Sequence, residues 1–308
     1  MQTATSQSSE RRPVTNNQGS AARVREVGPG VGAEITGINV SAGIDEDAFN
    51  TIRDALHEYS VVVLPGQQLT PPDLLAFTKR FGEMRTSFYN RYGVPGFPEL
   101  SVISNMLDDK GEAIGIADAG MLWHTDASYL PKPDLYTLLF GVEIPQVDGK
   151  SLGDTIFASS WRAFEALPAD MQNRLRSMRS VHSFIDHLEK KRRAGNLKRA
   201  PLTEKQKTEL PDVTHPVVRT HPVTGRPCLY VTEGHTARIV GLAAAESDAL
   251  LQQLADHLHN PAFHYRHRWT SGDLLIWDNC SVHHLAIFDY GTIPRRLHRA
   301  GILGPAPV

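Results

Sequence analysis

Apolar residues recur along this chain at two different periods, and the change between them divides it into a helix-bearing first part and a strand-rich remainder. Phe49, Ile52, Leu56 and Tyr59 repeat at helical spacing behind Asp45, a good N-cap, and predict a helix there. Val61-Val62-Val63-Leu64 is short and continuously apolar, which reads as a buried strand, and Pro65-Gly66 turns the chain after it. The next helix carries both of its ends in the sequence. Thr70 caps it, Pro71 takes the first position, an apolar stripe runs through Leu74, Leu75 and Phe77, and Gly82 lies past the last turn. Before all of these, Glu34-Ile35-Thr36-Gly37-Ile38-Asn39-Val40 alternates like a strand.

From about residue 98 onward short β-like runs dominate, separated by Pro, Gly and Asp turns. They are Leu100-Ser101-Val102-Ile103, Leu135-Tyr136-Thr137-Leu138-Leu139-Phe140, Leu229-Tyr230-Val231 and Leu274-Leu275-Ile276-Trp277. Helical patterns interrupt them twice, over 160–193 and where Leu250, Leu251, Leu254 and Leu258 share a face ahead of Pro261. The pattern predicts a mainly β fold with helical insertions, a sandwich or jelly roll. Residues 1–20 have almost nothing apolar to bury and are expected to be disordered. Residues 21–308 then form a single domain with helical insertions near 160–210 and 246–260.

Composition narrows the function. The 308 residues carry 32 Lys and Arg against 34 Asp and Glu, so no domain-wide basic field exists to hold a nucleic acid. The one basic run, Glu189-Lys190-Lys191-Arg192-Arg193, reads as a solvated helix end. No apolar run approaches the roughly 20 residues of a bilayer span, and the first residues lack an apolar signal core. Cys228 and Cys280 are too few for a disulfide framework, so a cytoplasmic location is expected. Apolar segments on the outer helices leave room for a homo-oligomer. Gly28-Pro29-Gly30-Val31-Gly32-Ala33 loosely fits a dinucleotide fingerprint, but a strand-like pattern follows where a phosphate-binding helix should open.

With 14 histidines, the two His-x-acid pairs present are about what chance supplies, so context must separate them. His187-Leu188-Glu189 lies in a charged helical stretch where a solvated histidine suffices. His124-Thr125-Asp126 follows Met121-Leu122-Trp123 in an aromatic, β-like setting, and two residues apart on a strand their side chains project to the same side. Two histidines and a carboxylate on one face leave three positions open, an arrangement that suits non-haem Fe(II) oxygenases. The third ligand is best supplied by His283 or His284, which face opposite ways if extended; periodicity does not choose between them. Further on, Arg295, Leu297 and Arg299 share a face if Arg295-Arg296-Leu297-His298-Arg299 is a strand. Its two guanidinium stems then start about 13 Å apart at roughly 3.3 Å per residue, a spacing suited to a two-ended anion.

In order and combination these residues resemble the taurine dioxygenase and dichlorophenoxyacetate dioxygenase family of Fe(II)- and 2-oxoglutarate-dependent oxygenases. The likeness begins at Val31-Gly32-Ala33-Glu34-Ile35-Thr36-Gly37 and runs through Arg80-Phe81-Gly82-Glu83, Trp123-His124-Thr125-Asp126 and Gly153-Asp154-Thr155. It continues through His215-Pro216-Val217-Val218-Arg219-Thr220-His221-Pro222 and Trp277-Asp278-Asn279 to Arg295-Arg296-Leu297-His298-Arg299. The resemblance implies a double-stranded β-helix in which His124, Asp126 and His284 hold Fe(II), and Thr155 and Arg295 bind the far carboxylate of 2-oxoglutarate. It implies that Arg299 helps to bind an anionic group of the substrate.

Departures from the family pattern bear on the substrate. The loop leading to Thr155 is altered, Gly149-Lys150-Ser151-Leu152-Gly153-Asp154-Thr155 standing where the family has Gly-Gly-Asp-Thr. Thr86-Ser87-Phe88-Tyr89-Asn90-Arg91 stands where taurine-binding members carry a histidine and a tyrosine, which points away from taurine. His235 replaces an aromatic pocket residue, and His187 lines the pocket if the lid matches. The implied activity is hydroxylation of an aliphatic carbon of a small anionic substrate by O2, with release of succinate and CO2. An organic carboxylate such as an aryloxyalkanoate or an amino-acid derivative is favoured, and a sulfonate is the alternative within the family. Outside it stand a Zn(II) hydrolase using the same ligands and a non-catalytic small-molecule-binding jelly roll.

Overall fold

A computed structural model describes residues 14–15, 21–86, 90–195 and 202–308. The disorder expected of residues 1–20 falls outside the described residues, apart from Val14–Thr15, which pairs with the strand Ala21–Glu26. Ser87, Phe88 and Tyr89 lie outside them as well.

Two sheets form the body. The larger has nine strands and is built around Val61–Leu64, Leu274–Asp278, Asp134–Glu143, Arg296–Leu303 and Phe97–Ser104, paired in that order and antiparallel throughout. The smaller lays His264–His267 and Val282–Ala286 on either side of Thr155–Ser159. Alternation along the strands explains why the apolar runs are continuous. Val61, Val63, Leu275, Trp277 and Leu139 point at Phe157, Tyr265 and Val282 of the small sheet and fill the interior. Val62, Leu64, Leu274, Ile276, Leu138 and Phe140 point the other way, under the helices Glu46–Tyr59 and Pro71–Lys79. With both faces buried, nearly every position in such a strand is apolar, Asp134, Thr137 and Asp278 being the buried polar exceptions in the central pair. This strand-rich arrangement is a double-stranded β-helix.

The flanking helices start and stop as the sequence predicts. Asp45 accepts the N–H of Ala48, and Thr70 forms a capping box with Asp73. The predicted helical run over 160–193 is instead broken. Ser160–Glu165 and Ala169–Arg176 are followed by the strand Arg179–His182 before helix resumes at Phe184–Arg193. Arg179–His182 finds two strand partners, Val213–Pro216 and Thr236–Ile239, that sequence spacing does not reveal. The helix Ala244–Leu258 buries Leu250, Leu254 and Leu258 as expected.

Candidate active site

The register of the small sheet settles which histidine turns inward. His284 pairs with Phe157, an interior residue, whereas His283 pairs with Ala158, which packs with the outer helices. His124 reaches the same place by another route. The expected strand over residues 124–126 is absent: His124 makes one isolated bridge, exchanging both backbone hydrogen bonds with His284, and the chain then turns through Ala127 at φ 56°. A bridge followed by a turn still delivers Asp126 to the imidazoles. Its Oδ1 lies 3.7 Å from His124 Nε2 and 4.0 Å from His284 Nε2, and the two rings are 4.1 Å apart.

Protonation suits a divalent metal. His124 Nδ1 sits 2.8 Å from the Leu122 carbonyl, which can only accept, so Nδ1 carries the proton and Nε2 is bare. Burial lowers the pKa of His124 against the pull of Asp126; burial and then His124 itself hold His284 well below the ordinary histidine value. Burial acts on Asp126 in the opposite sense, but Arg299, the two histidines and the Thr137 hydroxyl outweigh it and keep the carboxyl below the usual carboxylate range. Two neutral imidazoles and one carboxylate, each able to give one atom within 4.8 Å of the others, are a donor set that fits Fe(II).

Arg299 stands between two acids. Its Nη2 lies 3.0 Å from Asp126 Oδ2 and 2.9 Å from Asp134 Oδ2, and Asp134 is in turn held by Arg85. The Arg295 expectation needs a correction in geometry. Arg295 precedes the strand Arg296–Leu303 and a register shift follows between Arg296 and Leu297, so Arg295, Leu297 and Arg299 do not share one regular strand face. Arg295 is buried, donates from Nη2 to the Gly153 carbonyl at 2.9 Å and lies by Tyr290, while its Nε has no hydrogen-bond partner. Gly153, at φ +79°, permits that approach: a Cβ there would meet Arg295 Nε at 2.6 Å. Thr155 is buried and accepts from Trp269 Nε1 at 3.0 Å, leaving its own proton to give elsewhere. An unsatisfied guanidinium N–H and a hydroxyl proton are what a buried carboxylate needs, so these residues fit the far end of 2-oxoglutarate.

A cavity of about 290 Å³ opens over His124 and Asp126, lined by them and Arg299 together with Arg85, Tyr129, Phe184, His187, Lys191 and His235. Neither Thr155 nor Arg295 is among its lining residues. His187 is half-buried rather than solvated, as its charged surroundings suggest from sequence; the helix Phe184–Arg193 turns it inward and its Nδ1 donates to the Gly234 carbonyl at 3.0 Å. His235 is 4% exposed, within 4.5 Å of His187 and 5.0 Å of Tyr129 by ring centroids, and its Nδ1 has no hydrogen-bond partner. Burial, then His187, holds His235 neutral. The basic run is likewise only partly a solvated end: Lys191 is buried against Asp118. Sequence reasoning passed over Thr137, Asp134, Arg85 and the Lys191–Asp118 pair. Thr137 alone had a signal, a hydroxyl within an otherwise apolar strand run.

The sequence profile named taurine catabolism dioxygenase TauD, TfdA family matches residues 23–300. The pentalenolactone F synthase of Streptomyces avermitilis is 33% identical over 272 residues, covering 85% of this chain and 88% of its own. The alpha-ketoglutarate-dependent 2,4-dichlorophenoxyacetate dioxygenase of Cupriavidus pinatubonensis is 33% identical over 287 residues, 90% of this chain and 96% of its own. Among solved structures, a taurine dioxygenase from Burkholderia xenovorans superposes with a TM-score of 0.76 at 31% identity, covering 93% and 92% of the two chains. Among the described residues no helix is long and apolar enough to cross a membrane.

Proposed function

The chain belongs to the TauD, TfdA family of Fe(II)- and 2-oxoglutarate-dependent dioxygenases, and from that premise we propose that it hydroxylates an aliphatic carbon of a small organic carboxylate. Its cofactors are Fe(II) and 2-oxoglutarate. When bound, they supply the oxidising chemistry, in which O2 converts 2-oxoglutarate to succinate and CO2 and delivers one oxygen atom to the substrate. In this reading His124, Asp126 and His284 hold the metal. Thr155 and Arg295 hold the far carboxylate of 2-oxoglutarate, and Arg299, His235 and His187 meet the substrate.

The observation that carries the reading is the convergence of one carboxylate oxygen on two imidazole nitrogens, beside a cavity that His124 and Asp126 line. Everything else positions groups around that point. The wall formed by Tyr129, Leu130, Phe184 and Leu210 suits an apolar body, and neutral His235 offers a hydrogen bond without adding a charge. Relatives named for dichlorophenoxyacetate and phenoxypropionate support a carboxylate of that kind.

The test is an anaerobic titration with Fe(II) and 2-oxoglutarate, followed by a panel of aryloxyalkanoates, N-substituted amino acids and alkyl sulfonates scored by succinate release. A visible charge-transfer band and succinate release coupled to a carboxylate are expected. Coupling only to sulfonates would reassign the substrate class. Activity supported by Zn(II) without O2 would overturn the oxygenase reading itself.

A further inference from the structure

Resting on that metal-site reading, we propose that Thr137 is a positioning residue for Asp126: it reserves one carboxylate oxygen, so that only the other is presented to the metal. Thr137 is buried on the strand Asp134–Glu143, directly across from Trp277. Thr137 Oγ1 also accepts from Arg299 Nη2 at 3.4 Å, and the direction of the chain of hydrogen bonds that runs from Trp277 through it to Asp126 is forced from one end. An indole N–H can only donate, and Trp277 Nε1 lies 3.0 Å from Asn279 Oδ1, which also accepts the Asp126 backbone N–H at 3.1 Å. With its oxygen fixed there, the Asn279 amide turns Nδ2 towards Thr137 Oγ1 at 2.9 Å, and Thr137 must accept. A hydroxyl has a single proton. Having accepted from Asn279, Thr137 places that proton on Asp126 Oδ2 at 2.6 Å.

Arg299 Nη2 reaches the same oxygen at 3.0 Å, so Oδ2 is held by two donors while Oδ1 faces His124 and His284. A carboxylate that offers one oxygen occupies one coordination position and leaves the open places that a two-histidine, one-carboxylate site needs. Donors around a ligand orient it and tune its affinity for metal. Trp277 also packs its ring 4.8 Å from that of His284, so the same side chain that starts the relay steadies a second ligand.

The experiment compares Thr137→Val, which keeps the volume and loses the proton, with Thr137→Ser, which keeps the proton. Mn(II) affinity is followed by electron paramagnetic resonance and the ligand field by Co(II) absorption, both without turnover. Thr137→Val should bind Mn(II) about 10- to 100-fold more weakly and shift the Co(II) spectrum, and Thr137→Ser should restore both. Parent-like Mn(II) affinity with an unchanged Co(II) spectrum in Thr137→Val overturns the assignment. Should that variant not fold, Thr137→Ala, which also removes the hydroxyl proton, is read in the same way, and parent-like values there overturn it equally. A parent protein that binds neither ion refutes the metal site instead, so the two failures are distinct.

Discussion

Lys191 Nζ lies 2.7 Å from Asp118 Oδ2 and 2.6 Å from the Asp118 carbonyl, with both side chains almost sealed from solvent. The pair ties the helix Phe184–Arg193, which brings Phe184 and His187 to the cavity, to the loop that runs on to His124. A buried charge without its partner is far worse than no charge at all. Asp118→Asn is therefore expected to destabilise the fold by about 3–5 kcal/mol, measured by urea unfolding, whereas Lys191→Met combined with Asp118→Leu should recover most of that loss. A double variant as unstable as the single one would mean that packing, and not the ion pair, fixes the helix Phe184–Arg193.

Adjacent histidines on one strand give a sharp test of the site. His284→Ala should abolish Mn(II) and Fe(II) binding, because it removes one of the three ligands of the proposed site. His283→Ala should leave metal binding intact, since that ring faces the outer helices. Calorimetric titration of both variants decides it. Equal loss in the two would show that His283 shares in the metal site.

Much of this site is legible in the sequence, for a physical reason that differs from residue to residue. His124 and Asp126 are close in sequence and their spacing survives even though the strand expected beneath them does not form. The choice between His283 and His284 is invisible to periodicity, because it depends on which strand pairs alongside; the resemblance points to His284, and the register with Phe157 and Ala158 turns that ring inward. The helices Glu46–Tyr59 and Pro71–Lys79 are readable because their caps are local. Arg179–His182 is not, because its partners lie more than thirty residues away. The Arg85–Asp134–Arg299 chain and the Lys191–Asp118 pair escape for the same reason: each joins charges from distant segments.

The grip on 2-oxoglutarate can be separated from the grip on metal. Arg295 is buried, with an Nε that finds no partner in the protein, and Gly153 keeps space for it. A charge-assisted hydrogen bond is worth about 1.5–3 kcal/mol, so Arg295→Gln should raise the KM for 2-oxoglutarate about ten- to a hundredfold. The KM for the prime substrate and the Mn(II) affinity should stay near parent values. An unchanged requirement for 2-oxoglutarate would assign its far carboxylate to another cation.

Acid stability follows from the buried histidines. Burial holds His182 and His235 well below the ordinary value, and lowers His283 to about 3 and His259 to about 4, against about 6.5 when the chain is unfolded. All four are thus neutral in the native state at a pH where the unfolded chain takes up protons. Their contribution is fully present above pH 6.5 and is lost as the pH falls from there towards the native values, each group steepening the decline by about 1.4 kcal/mol per pH unit. Asp126, whose native pKa is also depressed, adds its own loss only below about pH 4. Urea unfolding at pH 8, 7, 6 and 5 should give a plateau between the first two and a steep drop across the last two. His283→Gln should make that drop shallower by about one proton's worth. A free energy of unfolding that stays level from pH 7 to pH 5 would mean that these four rings take up protons inside the fold as readily as in the unfolded chain.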